Sequence, residues 1–148
     1  MKQMGTALFY MLSMTMVISL AVFTLAETAT LNTRLQHNWM QHDLALIAAE
    51  NTAICAKHHI DAWQQPQIVR PMQPYKTSVA WWKQHGQSLE HNYYLIESFS
   101  THKGNIYYYR IVALGIEQHA RVIVQLFVKK VYINEDALPS KTVGRWLD

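Results

Sequence analysis

The sequence predicts an α+β chain: a long N-terminal, membrane-spanning α-helix packed on a small antiparallel β-sheet. Three observations carry that expectation. No charged residue lies between Gln3 and Ala26. No proline occurs before Pro66, and no glycine between Gly5 and Gly86, so nothing obvious breaks the helix that starts there. Three runs rich in β-branched and aromatic residues then fill the second half of the chain.

In chain order, residues 1–5 form a short basic leader. Thr6 to Ala26 is a stretch of 21 residues with no charge, long enough at about 1.5 Å per residue to cross the roughly 30 Å hydrocarbon core. Ser13, Thr15, Ser19 and Thr24 are tolerable there because their hydroxyls bond to carbonyls one turn back. Lys2 on one flank, against Glu27 and a first basic residue only at Arg34 on the other, favours a cytoplasmic N-terminus. The C-terminal domain then lies outside the cytoplasm. A cleaved secretory signal is the bland alternative, with Thr24-Leu25-Ala26 as its small-residue site. The apolar run exceeds the usual 7–15 residues of such a signal, roughly speaking, and the helical pattern continues past it.

Residues 27–60 are read as the amphipathic continuation. Leu44, Ile47, Ala48, Asn51, Ile54 and Cys55 recur at helical spacing, which predicts that this stripe packs on the sheet. Residues 61–78, with Pro66, Pro71 and Pro74, are a connector. Residues 79–148 form the β domain. It opens with an aromatic stretch, Val79 to Gln84, closed by His85-Gly86. Strands are expected at Asn92–Phe99, Ile106–Leu114 and Ala120–Tyr132, broken at 101–105 and 115–119. Such short breaks favour an antiparallel meander. Alternation puts Tyr107, Tyr109, Ile111 and Ala113 on one face and Tyr108, Arg110, Val112 and Leu114 on the other. Val122, Val124, Leu126 and Val128 share the face that would receive the helix, in a two-layer domain.

These residues together resemble a family. A leader ending in Gly5 runs straight into a membrane helix, followed by a packed helix and a sheet, as in type IV prepilins. The nearer resemblance is to PilX-type minor pilins. It rests on Gly5-Thr6-Ala7-Leu8, on Ala48-Ala49-Glu50 late in the helix, on Tyr109-Arg110-Ile111, and on Ala120-Arg121-Val122-Ile123-Val124-Gln125. It covers residues 1–60 and about 107–132, and leaves 61–106 unmatched. The resemblance implies a type IV pilin-like fold and cleavage by a prepilin peptidase between Gly5 and Thr6. It also implies assembly with other minor pilins and the major pilin through the N-terminal helix, involving Tyr10, Ala48, Ala49 and Glu50. Shaft-filling pilins carry Glu at the fifth residue after the cut, where this chain has Tyr10. That departure suits a rare subunit acting at initiation near the tip.

Other chemistry finds little support. The formal charge of +3 is dispersed, so nucleic acid is not an expected partner. Cys55 is the single cysteine, so no internal disulfide staples the domain. Cys55, His58 and His59 share a helical face but lack the fourth ligand of a closed zinc site, and are read as a buried Cys beside exposed imidazoles. No hydrolase, zinc-protease or phosphate-binding motif is present. No enzyme activity, cofactor or metal is therefore expected. Tyr93, Tyr94 and Tyr108 are candidates for an exposed partner surface. Besides the structural subunit, of which a type II secretion pseudopilin is a variant, a bitopic envelope protein binding a periplasmic partner stays open.

Overall fold

A computed structural model describes residues 2–67, 69–71, 74–99, 104–133 and 136–147. The chain divides into two compact units, residues 1–39 and 40–148.

The first unit is helical throughout its described length, within helix α1, Lys2–Asp61. Residues 6–39 are all exposed, the large apolar side chains included. Three of the four hydroxyls anticipated to fold back are seen to do so. Ser13, Thr15 and Thr24 Oγ donate to the carbonyls of Tyr10, Leu12 and Ala21 at 2.9 Å, which hides their polarity along the helix.

The second unit holds the end of α1, a second helix and a sheet. After α1 come β1 (Arg70–Pro71), α2 (Val79–His85), β2 (Gln87–Leu89), β3 (Asn92–Ser98), β4 (Ile106–Glu117), β5 (Ala120–Ile133), β6 (Asp136–Ala137) and β7 (Lys141–Leu147). Strands β3, β4 and β5 form the antiparallel meander that their composition predicts. β7 extends it beyond β5, while β2 and the two-residue β1 share the outer edge of β3. β1 runs parallel to β3, an exception in an otherwise antiparallel sheet. It also puts a little strand into the connector expected at 61–78, with Pro71 at the sheet edge, where a missing N–H costs nothing.

Two layers were expected and three are found. On one face, Ala53, Ala56 and Ile60 of α1 pack against Ile96, Tyr109, Ile111, Ala113 and Val128, and Ala45 and Ala49 against Val122 and Val124. On the other face α2 lays Trp82 over Leu95, Val112, Leu114 and Ile123. The sequence-level faces of β4 and β5 are thus correct, and the aromatic stretch at 79–84 is the covering helix. Trp82 is fully buried, and its indole N–H donates to the Lys76 carbonyl at 2.7 Å, so the ring loses no hydrogen bond on burial. Gly86 ends α2, its N–H bonding to the Trp82 carbonyl at 2.7 Å.

The helix face in contact with the sheet is not the one expected. Leu44, Ile47 and Ile54 are 43%, 53% and 49% exposed, and Asn51 and Cys55 are exposed as well. The buried face is Ala45, Ala49, Thr52, Ala53, Ala56 and Ile60. Small side chains win because they let the backbones approach. A Cβ built on Gly115 of β4 would stand 2.0 Å from the Ala45 carbonyl oxygen and 2.5 Å from the Ala49 nitrogen. Gly115 therefore belongs to a strand, not to the break expected at 115–119. β4 continues to Glu117, and the turn is only Gln118-His119, with Gln118 at φ 47°.

Candidate functional site

The uncharged half of α1 is the first candidate. Leu8, Phe9, Tyr10, Met11 and Leu12 are 63–74% exposed, and the same holds in kind around the helix to Leu25. So much contiguous apolar surface is costly in water, and a helix apolar all round belongs in lipid or among like helices. By length and composition this is the one helix among the described residues able to cross a membrane. Thr6 and Tyr10 are exposed helical positions, and the Tyr10 ring sits edge-on to Phe9 at 6.5 Å. Gly5 is helical too.

The second candidate is the set of polar ties holding the end of α1 to the sheet. Lys130 of β5 is fully buried. Its ammonium donates to the carbonyls of Ile60, Asp61 and Trp63 at 2.5, 3.0 and 2.7 Å. The Ile60 and Asp61 carbonyls belong to the last turn of α1, at the negative end of its dipole, and Ile60 also accepts from the Trp63 N–H at 3.1 Å; the Trp63 carbonyl lies just past the helix. Burial pushes the Lys130 ammonium below its usual pKa, with the Asp61 carboxylate pulling the other way. Asp61 Oδ1 accepts from the Ser140 N–H at 2.6 Å, and Gln41 Nε2 donates to Gln118 Oε1 at 2.5 Å. Glu50 pairs with Arg145 of β7. Of the residues the pilin resemblance assigns to assembly, Ala49 is thus buried under Gly115 and Glu50 engages this chain's own sheet, while Ala48 is half-buried.

The tyrosines do not make one surface. Register opposes Tyr93 to Leu114 and Tyr108 to Lys129, at opposite ends of the strands, and alternation turns Tyr94 to the α1 side. Tyr93 packs beside the Trp82 cluster, and Tyr94 packs against the α1 cluster with its hydroxyl 3.5 Å from His59 Nδ1. Tyr108, 38% exposed, instead borders an apolar recess of about 450 Å³ with Phe99, Phe127, Val143 and Trp146. That recess was not legible in the sequence because it needs β7, whose polar, glycine-containing segment does not read as a strand. Nor was the buried pair of Glu97 and Arg110, whose Nε donates to Glu97 Oε2 at 2.7 Å. The register that sets them opposite each other was the missing signal.

The Cys55, His58 and His59 side chains are all exposed, so the expected burial of Cys55 is corrected. No group of three His, Cys, Asp or Glu that could hold a metal is found among the described residues. Comparison with known protein families, with characterised proteins and with solved structures finds no match to the chain.

Proposed function

We propose that this chain is a minor pilin, a non-enzymatic subunit that helps start type IV pilus assembly, held in the bacterial inner membrane before it enters the fibre. One observation carries the reading. α1 joins a bare apolar half, which needs lipid or other helices around it, to a half bound onto a sheet by close packing and a buried lysine. A plain membrane anchor has no need of that second half. Moving the apolar half from bilayer to a bundle of like helices exchanges one apolar environment for another, so assembly exposes none of it to water. Its partners are other minor pilins and the major pilin, with a prepilin peptidase acting between Gly5 and Thr6.

The place in the fibre follows from Tyr10. A new N-terminal ammonium entering a helix bundle costs several kcal/mol unless it is paired, roughly as for any buried charge. Tyr10 offers a hydroxyl and no counter-charge, which suits a rare position near the tip better than a repeated one in the shaft. Immunogold labelling confined to fibre ends is expected, and dense labelling along whole fibres would contradict this.

Mass spectrometry of the mature protein tests the reading as a whole. A chain beginning at Thr6 is expected. A chain beginning at Met1 would favour the bitopic envelope protein, and one beginning at Glu27 a cleaved signal. A type II secretion pseudopilin shares the Thr6 start and is separated from the pilus reading by whether deletion reduces the number of surface pili more than their length.

A further inference from the structure

The stripe left exposed on α1 has a spacing of its own. Met40, Leu44, Ile47, Asn51, Ile54 and His58 follow one another at four, three, four, three and four residues, the alternation of the d and a positions of a heptad. All six are exposed; Met40 is 54% and Ile47 53% exposed. At about 100° per residue this seam lies on the far side of the helix from Ala45, Ala49 and Ala56, which hold the sheet. A second helix can therefore approach without displacing the domain.

We infer that this seam pairs with the same seam of a second copy, as a short parallel two-stranded coiled coil flanked by the two sheets. Asn51 identifies the occupant. It is an a position, and in a parallel, in-register pair a faces a, so each Asn51 amide meets its twin and both donor and acceptor are satisfied. A slipped or antiparallel pairing sets it against an apolar side chain, and one buried Asn is enough to specify register and strand number. The seam carries no carboxylate, lysine or arginine, and its one titratable side chain, His58, lies at its end.

The flanks limit the number of helices. Leu at a with Ile at d leans toward three or four strands, which need wide contact along both flanks. Here one flank begins with Gln41, buried and bonded to Gln118, and the other contains Glu50, paired with Arg145. What is left is a narrow strip fit for one neighbour. The strip is short, below the three to four heptads, roughly, that sustain a free coiled coil. Its parallel direction and its strength rest on the membrane anchoring proposed above, which holds both copies by the same end and raises their effective concentration.

Cysteine cross-linking of the full chain in its own membranes tests this. In a Cys55→Ala background, Ile47→Cys and Ile54→Cys should give a dimer with a short bis-maleimide. The yield should be at least about fivefold that of His42→Cys, which is exposed but off the seam, because d positions face each other across such a pair. Adding Leu44→Glu to Ile54→Cys should abolish the dimer, since it puts like charges into the seam without touching the buried face. Equal yields at 42 and 47, or a dimer that survives Leu44→Glu, would overturn the pairing. Carbonate extraction of the same membranes reports separately on anchoring. Loss of the chain to the soluble fraction would refute the membrane reading, whereas seam-specific cross-links would still establish the pairing.

Discussion

Replacing Gly115 by alanine is a severe test of how α1 meets the sheet. The added Cβ would lie 2.0 Å from the Ala45 oxygen, 2.5 Å from the Ala49 nitrogen and 2.9 Å from the Ala49 Cβ. Two of the three are backbone atoms, so no rotamer change relieves the clash and the helix must move off the strand. Overpacking of ordinary cores costs about 1–3 kcal/mol, and a clash with rigid backbone belongs at or above the upper end. With a urea dependence of roughly 1–3 kcal/mol per molar, a loss of about 3 kcal/mol lowers the unfolding midpoint by at least about 1 M. Gly144→Ala is the control, because its Cβ would meet nothing closer than Phe127 at 3.8 Å. It should be neutral or slightly stabilising, since alanine restricts the unfolded chain. The assay is urea unfolding of the detergent-solubilised chain followed by tryptophan fluorescence, for which buried Trp82 is a reporter. A Gly115→Ala midpoint within error of the Gly144→Ala midpoint would refute the close-approach argument.

Other expectations are read by the same unfolding assay. Lys130→Met fills similar volume but removes the donor to the Asp61 and Trp63 carbonyls, while Ile60 keeps the Trp63 N–H, and should cost at least about 2 kcal/mol at one to three per buried group. Glu97→Gln should cost about 3 kcal/mol, because it leaves the buried Arg110 without its charge partner, whereas Glu50→Gln, in a pair largely open to water, should cost under about 1 kcal/mol. Equal losses for the two glutamates would show that burial does not decide their worth. Burial, reinforced by the neighbouring Tyr109, pushes the Tyr132 hydroxyl above its ordinary pKa. The unfolded phenol therefore ionises first, so its stabilising contribution is complete below about pH 10 and is lost as pH rises beyond it. Lys130, held below its usual value, acts with the opposite sign over the alkaline range, so the informative quantity is the difference between wild type and Tyr132→Phe. The variant should lose less stability between neutral and strongly alkaline pH.

The elements legible in the sequence were those with a strong period. The uncharged run and the absence of Pro and Gly marked α1 to within a residue of its end at Asp61, and alternation assigned both faces of β4 and β5. The docking face of α1 was not legible, because alanines carry little hydrophobic signal while Leu44, Ile47 and Ile54 carry much. Contact here was decided by how near the backbones could come, and only the partner strand's Gly115 could announce that. β7 escaped because Lys141, Thr142, Gly144 and Arg145 leave just Val143, Trp146 and Leu147 to suggest a strand. Nothing in the local sequence marks Lys130 of β5 as buried. Its burial becomes visible only once the helix end is placed above it.

The ammonium of Lys130 also sets an order of events. Its contact with Ile60 joins residues 70 positions apart, and the pair of Glu50 with Arg145 spans 95. Helical turns form in under a microsecond, roughly, whereas closure over such separations comes late. The helix end therefore stays unclosed until β5 is in place, and the Glu50 tie waits for β7. A chain whose sheet is incomplete thus displays open carbonyls at the end of α1, and the lysine that covers them marks the finished fold.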